Sequence, residues 1–194
     1  MLKIGITGGI GSGKTTVCKM FEVLGIPVYY ADARAKALMT EDPKLVAQIK
    51  DLLGKKVYNE DGSLNRQRIA KIVFNDKEKL AHLNALVHPA VATDGENWHH
   101  AQKDVPYTLK EAALLVESGS YKMMDFLISV WAPKELRIER VQIRDNASRQ
   151  EVEARIDKQM PEMEKLKAAD LVIINDEKTS LIEQVVRIHQ YLSS

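Results

Sequence analysis

The chain has 194 residues, 45% of them hydrophobic and 28% charged, enough to bury a proper core, with one domain carrying insertions as the natural expectation. Lysine plus arginine number 28 against 27 aspartate plus glutamate, a formal net charge of +1, so no global field recruits nucleic acid or an anionic membrane and the expected partner is small. No apolar run approaches the roughly 18 residues of a transmembrane span, no signal-peptide core opens the chain, and the single cysteine, Cys18, has no internal disulfide partner. Those features lead to the expectation of a cytoplasmic protein, free of membrane and nucleic acid, with Cys18 as a small buried apolar residue.

The first predicted element is a strand over 2–6, Leu2-Lys3-Ile4-Gly5-Ile6. After the glycines that follow it, Val17, Met20, Phe21 and Leu24 recur at helical spacing. Between strand and helix, Gly8-Gly9-Ile10-Gly11-Ser12-Gly13-Lys14-Thr15 fits G-x-x-x-x-G-K-[ST] at every fixed position. Such a loop folds its bare N–H groups around phosphates at a helix N-terminus, where the partial charge suits an anion. Lysine reaches the β/γ oxygens and the hydroxyl binds Mg²⁺. This makes Gly9, Gly11, Ser12, Gly13, Lys14, Thr15 and Thr16 candidate ATP-binding residues, and Thr15 the candidate metal contact. A dinucleotide fingerprint fails on spacing: from Gly9 the third glycine falls on Lys14, and from Gly11 on Thr16.

A second strand is predicted over 27–30, with Asp32 just beyond it. A carboxylate there can align or deprotonate an acceptor hydroxyl, and it can also cap a helix running from Ala33. About eighty mostly helical residues follow, with apolar periodicity over 43–53, 65–73 and 77–92 and a turn at Asn59-Glu60-Asp61-Gly62. His88-Pro89 reads as the end of the last apolar helical stretch, and His99-His100 as an exposed helix end. A third strand is predicted over 111–116, closed by Glu117, where the second metal-binding carboxylate of such proteins would sit as aspartate; metal and substrate contact both stay open for Glu117. The fourth strand is predicted over 127–132 and the fifth over 170–174. Nearly continuous apolar runs of this length fit a parallel sheet buried on both faces.

Segment 134–167 is dense in charge. It opens after Pro133, carries a capping box at Ser148-x-x-Glu151 and is interrupted by Pro161. Arg137, Arg140 and Arg144 fall at i, i+3 and i+7 on one helix face. Arg140 and Arg144 suit a closing phosphate contact, whereas Arg137 alone reads as part of a solvated charged face. Met123, Met124, Met160 and Met163 read as packing residues.

These residues in order resemble the dephospho-coenzyme A kinase family along almost the whole chain. The resemblance is carried by Ile6-Thr7-Gly8-Gly9-Ile10-Gly11-Ser12-Gly13-Lys14, by Leu24-Gly25-Ile26-Pro27-Val28 leading to Ala31-Asp32, and by Leu64-Asn65. It continues through Leu83-Asn84-Ala85-Leu86-Val87-His88-Pro89, Leu114-Leu115-Val116-Glu117-Ser118, Glu139-Arg140 with Arg144-Asp145, Arg155-Ile156 with Gln159, and Ala169 to Asn175. It implies an α/β fold: a three-layer P-loop NTPase core with a five-stranded parallel sheet (1–32, 105–133, 168–194), a helical acceptor-binding insertion (33–104) and a helical lid (134–167). The implied reaction transfers the γ-phosphoryl of ATP, with Mg²⁺, to the ribose 3′-hydroxyl of dephospho-coenzyme A, giving coenzyme A and ADP, with no obligate protein partner. Asp32, Lys14 and Arg140 would be catalytic, Asp32 as base or orienting carboxylate and Arg140 as lid arginine. Arg144 and Asn175 would lie towards the adenine, and Thr7, Asp32, His88, Pro89 and Glu117 towards the acceptor. Tyr30 and Val116 stand where family members often carry aspartate and phenylalanine. Another small-molecule kinase shares the loop, sheet and lid. A guanine switch would need Asn-Lys-x-Asp and a mechanical ATPase an apolar run ending in Asp-Glu; the sequence has neither.

Overall fold

The computed structural model describes residues 1–74 and 76–194. They form two compact units, one of Met1–Tyr30 with Ala101–Ser194 and one of Ala31–His100.

The first unit is built on a five-stranded sheet: β1 (Leu2–Thr7), β2 (Val28–Tyr30), β3 (Tyr107–Glu111), β4 (Phe126–Trp131) and β5 (Leu171–Ile174). Its spatial order is β2-β3-β1-β4-β5, and every pairing is parallel. The fold is therefore α/β with five parallel strands, as the apolar runs predict. Side chains alternate across the pleat, so Ile4 and Ile6 enter one core while Gly5 faces the opposite way. On the Ile4 side, α1 (Lys14–Val23) contributes Val17, Cys18 and Phe21 and α9 (Leu181–Ser193) contributes Val185, Ile188 and Leu192. On the other side the missing side chain of Gly5 leaves room for Met124, Leu127 and Leu115, all within 3.0 to 3.3 Å of where a β-carbon would stand. Cys18 is fully buried, and that burial pushes its thiol pKa up.

The third strand lies earlier than its apolar run suggests. Residues 112–116 leave the sheet after Glu111, and Leu114 is exposed. The register pairs Leu2 with Tyr107 and Ile6 with Glu111, so β3 ends where its central neighbour β1 runs out into the glycine loop. Pairing partners, not hydrophobicity, set its limits. Met123 and Met163 are exposed instead of packed, while Met124 does pack.

Segment 134–167 holds α6 (Lys134–Asp145), α7 (Arg149–Ile156) and α8 (Glu162–Ala168). The capping box at Ser148 and Glu151 forms, and Pro161 stands at the N-cap of α8. Ile138, Val141 and Val152 make a small core of their own with Ile10, Ala147 and Ile156 against it.

The second unit contains α2 (Ala31–Glu41), α3 (Pro43–Leu53), α4 (Arg66–Phe74) and most of α5 (Lys77–Ala101). Asp42 caps α3 through Lys44 and Leu45 N–H groups, with Pro43 in the first turn. Leu38, Leu45, Ile49, Val57, Ile69, Leu83 and Val87 form its core. The guanidinium of Arg34 grips Asp94 through two bonds of 3.0 Å. His88-Pro89 does not end a helix. Pro89 lies inside α5, which continues to Ala101, giving up one main-chain bond in a helix held by Leu83 and Val87. His100 is exposed at the helix end, but His99 is buried, against expectation.

Candidate active site

The phosphate loop joins the central strand to α1. Gly13 takes the left-handed conformation at the N-cap (φ 93°), no side chain caps the helix, and no acidic residue stands in its first turn. That leaves the positive end of α1 open to an anion. Lys14 Nζ donates to the carbonyl of Gly8 at 2.9 Å and of Gly9 at 3.5 Å, holding its ammonium over the loop. Thr15 and Thr16 are exposed in the first turn, and Ser12 is fully buried. A hydroxyl on an exposed first turn is a hard oxygen donor that fits Mg²⁺, which keeps most of its shell as water and phosphate oxygens.

Three side chains stand around the loop, two of them bonded to it. Asn175 Nδ2 donates to Ser12 O at 2.8 Å, and a β-carbon on Gly13 would collide with that same nitrogen. Arg140, from α6, donates to Asn175 O at 3.4 Å and Oδ1 at 3.3 Å and pairs with Glu177 at 3.1 Å. The third is Gln159, whose Oε1 accepts Ile10 N–H at 2.8 Å. Arg140 and Asn175 therefore meet beside the loop. Arg144 stays on the surface, bonded to Asp145 at 2.7 Å.

Arg137 is not on a solvated face. Its side chain is 6% exposed and pairs with Glu162 at 2.7 Å. A β-carbon on Gly9 would collide with its Nη1 and stand 2.7 Å from the Glu162 carboxylate. The three-residue step from Arg137 to Arg140 puts both on one helix face, but the partner that buries Arg137 lies 25 residues away and no local spacing signals it. Lys165 had no signal either: within Glu164-Lys165-Leu166-Lys167 it reads as surface charge. It is fully buried, 2.6 Å from Glu117 Oε1 and 3.3 Å from Ala113 O. Glu117 Oε1 also accepts Met160 N–H at 3.3 Å. Thr7, buried at the end of β1, donates its hydroxyl to Ala113 O at 3.4 Å.

In the second unit, Asp32 is exposed in the first turn of α2. The helix starts at Ala31, so Asp32 stands within it and is not the N-cap of a helix from Ala33. Pro89 lines a 460 Å³ cavity with Leu38, Leu45, Leu86 and Asp94, while His88 is exposed and not on its wall. Among the described residues no three His, Cys, Asp or Glu side chains gather as metal ligands, and no helix is long and apolar enough to cross a membrane.

A parallel sheet whose central strand runs into G-x-x-x-x-G-K-T, with a lysine poised over the loop, defines a P-loop nucleotide-binding kinase fold. The dephospho-CoA kinase family model matches residues 2–180, and the chain belongs to that family, whose activity is the ATP-dependent phosphorylation of dephospho-CoA to CoA. A dephospho-CoA kinase of Bacteroides fragilis (strain YCH46) is 38% identical over 191 residues, 98% of this chain and 93% of the relative. The crystal structure of TT1252 from Thermus thermophilus has a TM-score of 0.88 at 35% identity, covering 100% of this chain and 98% of that one. Dephospho-CoA kinase from Campylobacter jejuni has a TM-score of 0.73 at 28% identity, covering 98% and 96%. The protein is thus an enzyme, a kinase among the transferases.

Proposed function

We propose that this kinase transfers the γ-phosphoryl of ATP to the ribose 3′-hydroxyl of dephospho-CoA, releasing ADP and CoA in the cytoplasm, with no obligate protein or nucleic-acid partner. One observation carries the nucleotide half of the reading: Lys14 is held over the loop by Gly8 O at the open N-terminus of α1. Family membership carries the acceptor half.

Phosphoryl transfer spreads negative charge over the moving group, so the protein's task is to position and to stabilise charge. The N–H groups of the loop from Gly9 to Thr16 receive the phosphates, and Lys14 places its charge at the β/γ bridge. Thr15 would hold Mg²⁺, which supplies charge neutralisation there. Arg140, already beside the loop through Asn175, turns to the phosphates when 134–167 closes as a lid, while Arg144 and Asn175 serve the nucleotide side. Insertion 33–104 holds the acceptor, with His88 and Pro89 on that side and Thr7 at the end of β1. Asp32 orients or deprotonates the acceptor hydroxyl. Its exposure in a first turn leaves the carboxylate accessible for that task. Glu117 receives a different role below.

The deciding assay measures ADP release from ATP and Mg²⁺ with and without dephospho-CoA, and identifies the product by mass and by position of the new phosphate. Release that needs dephospho-CoA and yields the 3′-phosphate is expected. Release with a nucleoside in its place, and none with dephospho-CoA, overturns the acceptor assignment.

A further inference from the structure

A single short stretch, Gln159 to Lys165, reaches three separate points around the loop. Gln159 accepts the Ile10 N–H at 2.8 Å. Glu162 pairs with Arg137 at 2.7 Å against the bare α-carbon of Gly9. Lys165 pairs with Glu117 at 2.6 Å, and the same Glu117 oxygen accepts Met160 N–H. The helix that begins in this stretch, α8, has 7 residues, too few to hold itself together in water. Its tethers fix it.

The tethers are chemically costly. Lys165 is 0% and the Arg137 side chain 6% exposed, and two buried ion pairs lose most of their Coulomb gain to desolvation. Apolar residues of the same size would serve stability as well or better. What charge adds is fixed geometry: the Arg137–Glu162 pair stands against Gly9, and the Lys165–Glu117 pair holds the same stretch at Met160, next to the Gln159 that meets Ile10.

The Glu117 pair also bears on the metal. The sequence leaves Glu117 open as a second ligand for Mg²⁺, and its Oε2 is buried with no partner among the described residues. A divalent cation on Oε2 would nevertheless sit a few ångströms from the buried ammonium of Lys165, where repulsion is weakly screened.

We infer that Lys165 is a positioning residue: it holds Glu117 as the anchor of stretch 159–165, which sets the phosphate loop at Gly9 and Ile10, and it withdraws Glu117 from metal binding. This rests on reading the loop as the ATP site.

The test compares Glu117→Gln, Lys165→Met, their double variant and Gln159→Ala with the parent chain. Three quantities are read: hydrogen exchange of the Ile10 amide without nucleotide, KM for ATP against kcat, and the half-saturating Mg²⁺ concentration. Expected are faster Ile10 exchange in all four variants, KM for ATP raised about tenfold with a smaller change in kcat, and unchanged Mg²⁺ half-saturation. The double variant should be less impaired than Lys165→Met, which leaves Glu117 buried without its counter-charge. If Lys165→Met does not fold, Glu117→Gln and Gln159→Ala decide alone. A Glu117→Gln protein with a tenfold higher Mg²⁺ requirement and parental Ile10 exchange makes Glu117 a metal ligand and overturns the inference. Parental exchange and KM in Gln159→Ala overturn the brace. Should the parent chain show no dephospho-CoA-dependent turnover, the functional reading fails, while Ile10 exchange still tests the brace by itself.

Discussion

Asn175 and Ser12, 163 residues apart in the chain, meet through one buried hydrogen bond of 2.8 Å. It ties the end of β5 to the carbonyl just before Gly13, whose left-handed turn starts α1. The bond fixes the pitch at which the first N–H groups of that helix point outward, so the outermost strand helps to shape the phosphate site at the centre of the sheet.

Asn175→Ala leaves the Ser12 carbonyl without this donor and removes one acceptor of Arg140, the Asn175 Oδ1. A stability loss of about 1–3 kcal/mol is expected for the stranded buried acceptor, with a raised KM for ATP. Gly13→Ala should be worse, because its methyl meets Asn175 while the backbone keeps a positive φ. Denaturant unfolding and ATP titration read both. A Gly13→Ala protein with parental ATP affinity would show that the loop does not need this turn.

Lys14→Ala removes the ammonium that Gly8 O and Gly9 O hold over the loop. Losing one such contact to developing charge typically costs roughly 10²–10³ in rate, with the fold unchanged because the lysine contributes nothing to the core cluster. Turnover and far-ultraviolet circular dichroism measured together decide it; near-parental turnover sinks the loop's role.

Asp32→Asn separates chemistry from helix stabilisation. As the base or orienting group, Asp32 should be worth about 10²–10⁴-fold in kcat, with ATP affinity nearly unchanged. As a mere first-turn acid in α2, it contributes only the dipole term of roughly 0.3–1 kcal/mol, visible in stability and not in kcat. A variant that keeps its rate while its melting temperature drops slightly assigns Asp32 to the helix alone.

At the joint of α6 and α7, Asp145 accepts bonds from Arg144 at 2.7 Å and 3.0 Å and from Arg155 at 2.8 Å. The Arg144 bond above all, then its charge and Arg155, holds the Asp145 carboxyl below the ordinary aspartate range. The folded pKa lies under the unfolded one, so this contribution is complete above about pH 3.9 and is lost as pH falls through the folded value. A carboxyl-carbon NMR titration should give Asp145 a midpoint below that of a model peptide, moving upward in Arg155→Gln. An ordinary midpoint would mean the two arginines are not held there in solution.

Much of this protein is written locally. The glycine spacing from Gly8 to Lys14 dictates a turn, an open helix end and a placed ammonium within one short stretch, so no distant partner is needed to read it. The helix cap at Ser148 is legible for the same reason, satisfied within three residues, and the apolar runs of β1, β4 and β5 announce a parallel sheet, although Val172 and Ile174 of the edge strand β5 stay exposed. Arg137 and Lys165 are the opposite case. A long charged side chain is exposed unless something far along the chain neutralises it, and their partners lie 25 residues away at Glu162 and on the far side of β4 at Glu117. The limits of β3 likewise came from β1, since a strand ends where its neighbour stops pairing and not where its own hydrophobicity fades. Local sequence set the chemistry of the phosphate loop; the buried charges that hold the loop in place could be fixed only by the tertiary fold, because burial of charge is decided by partners that sequence distance conceals.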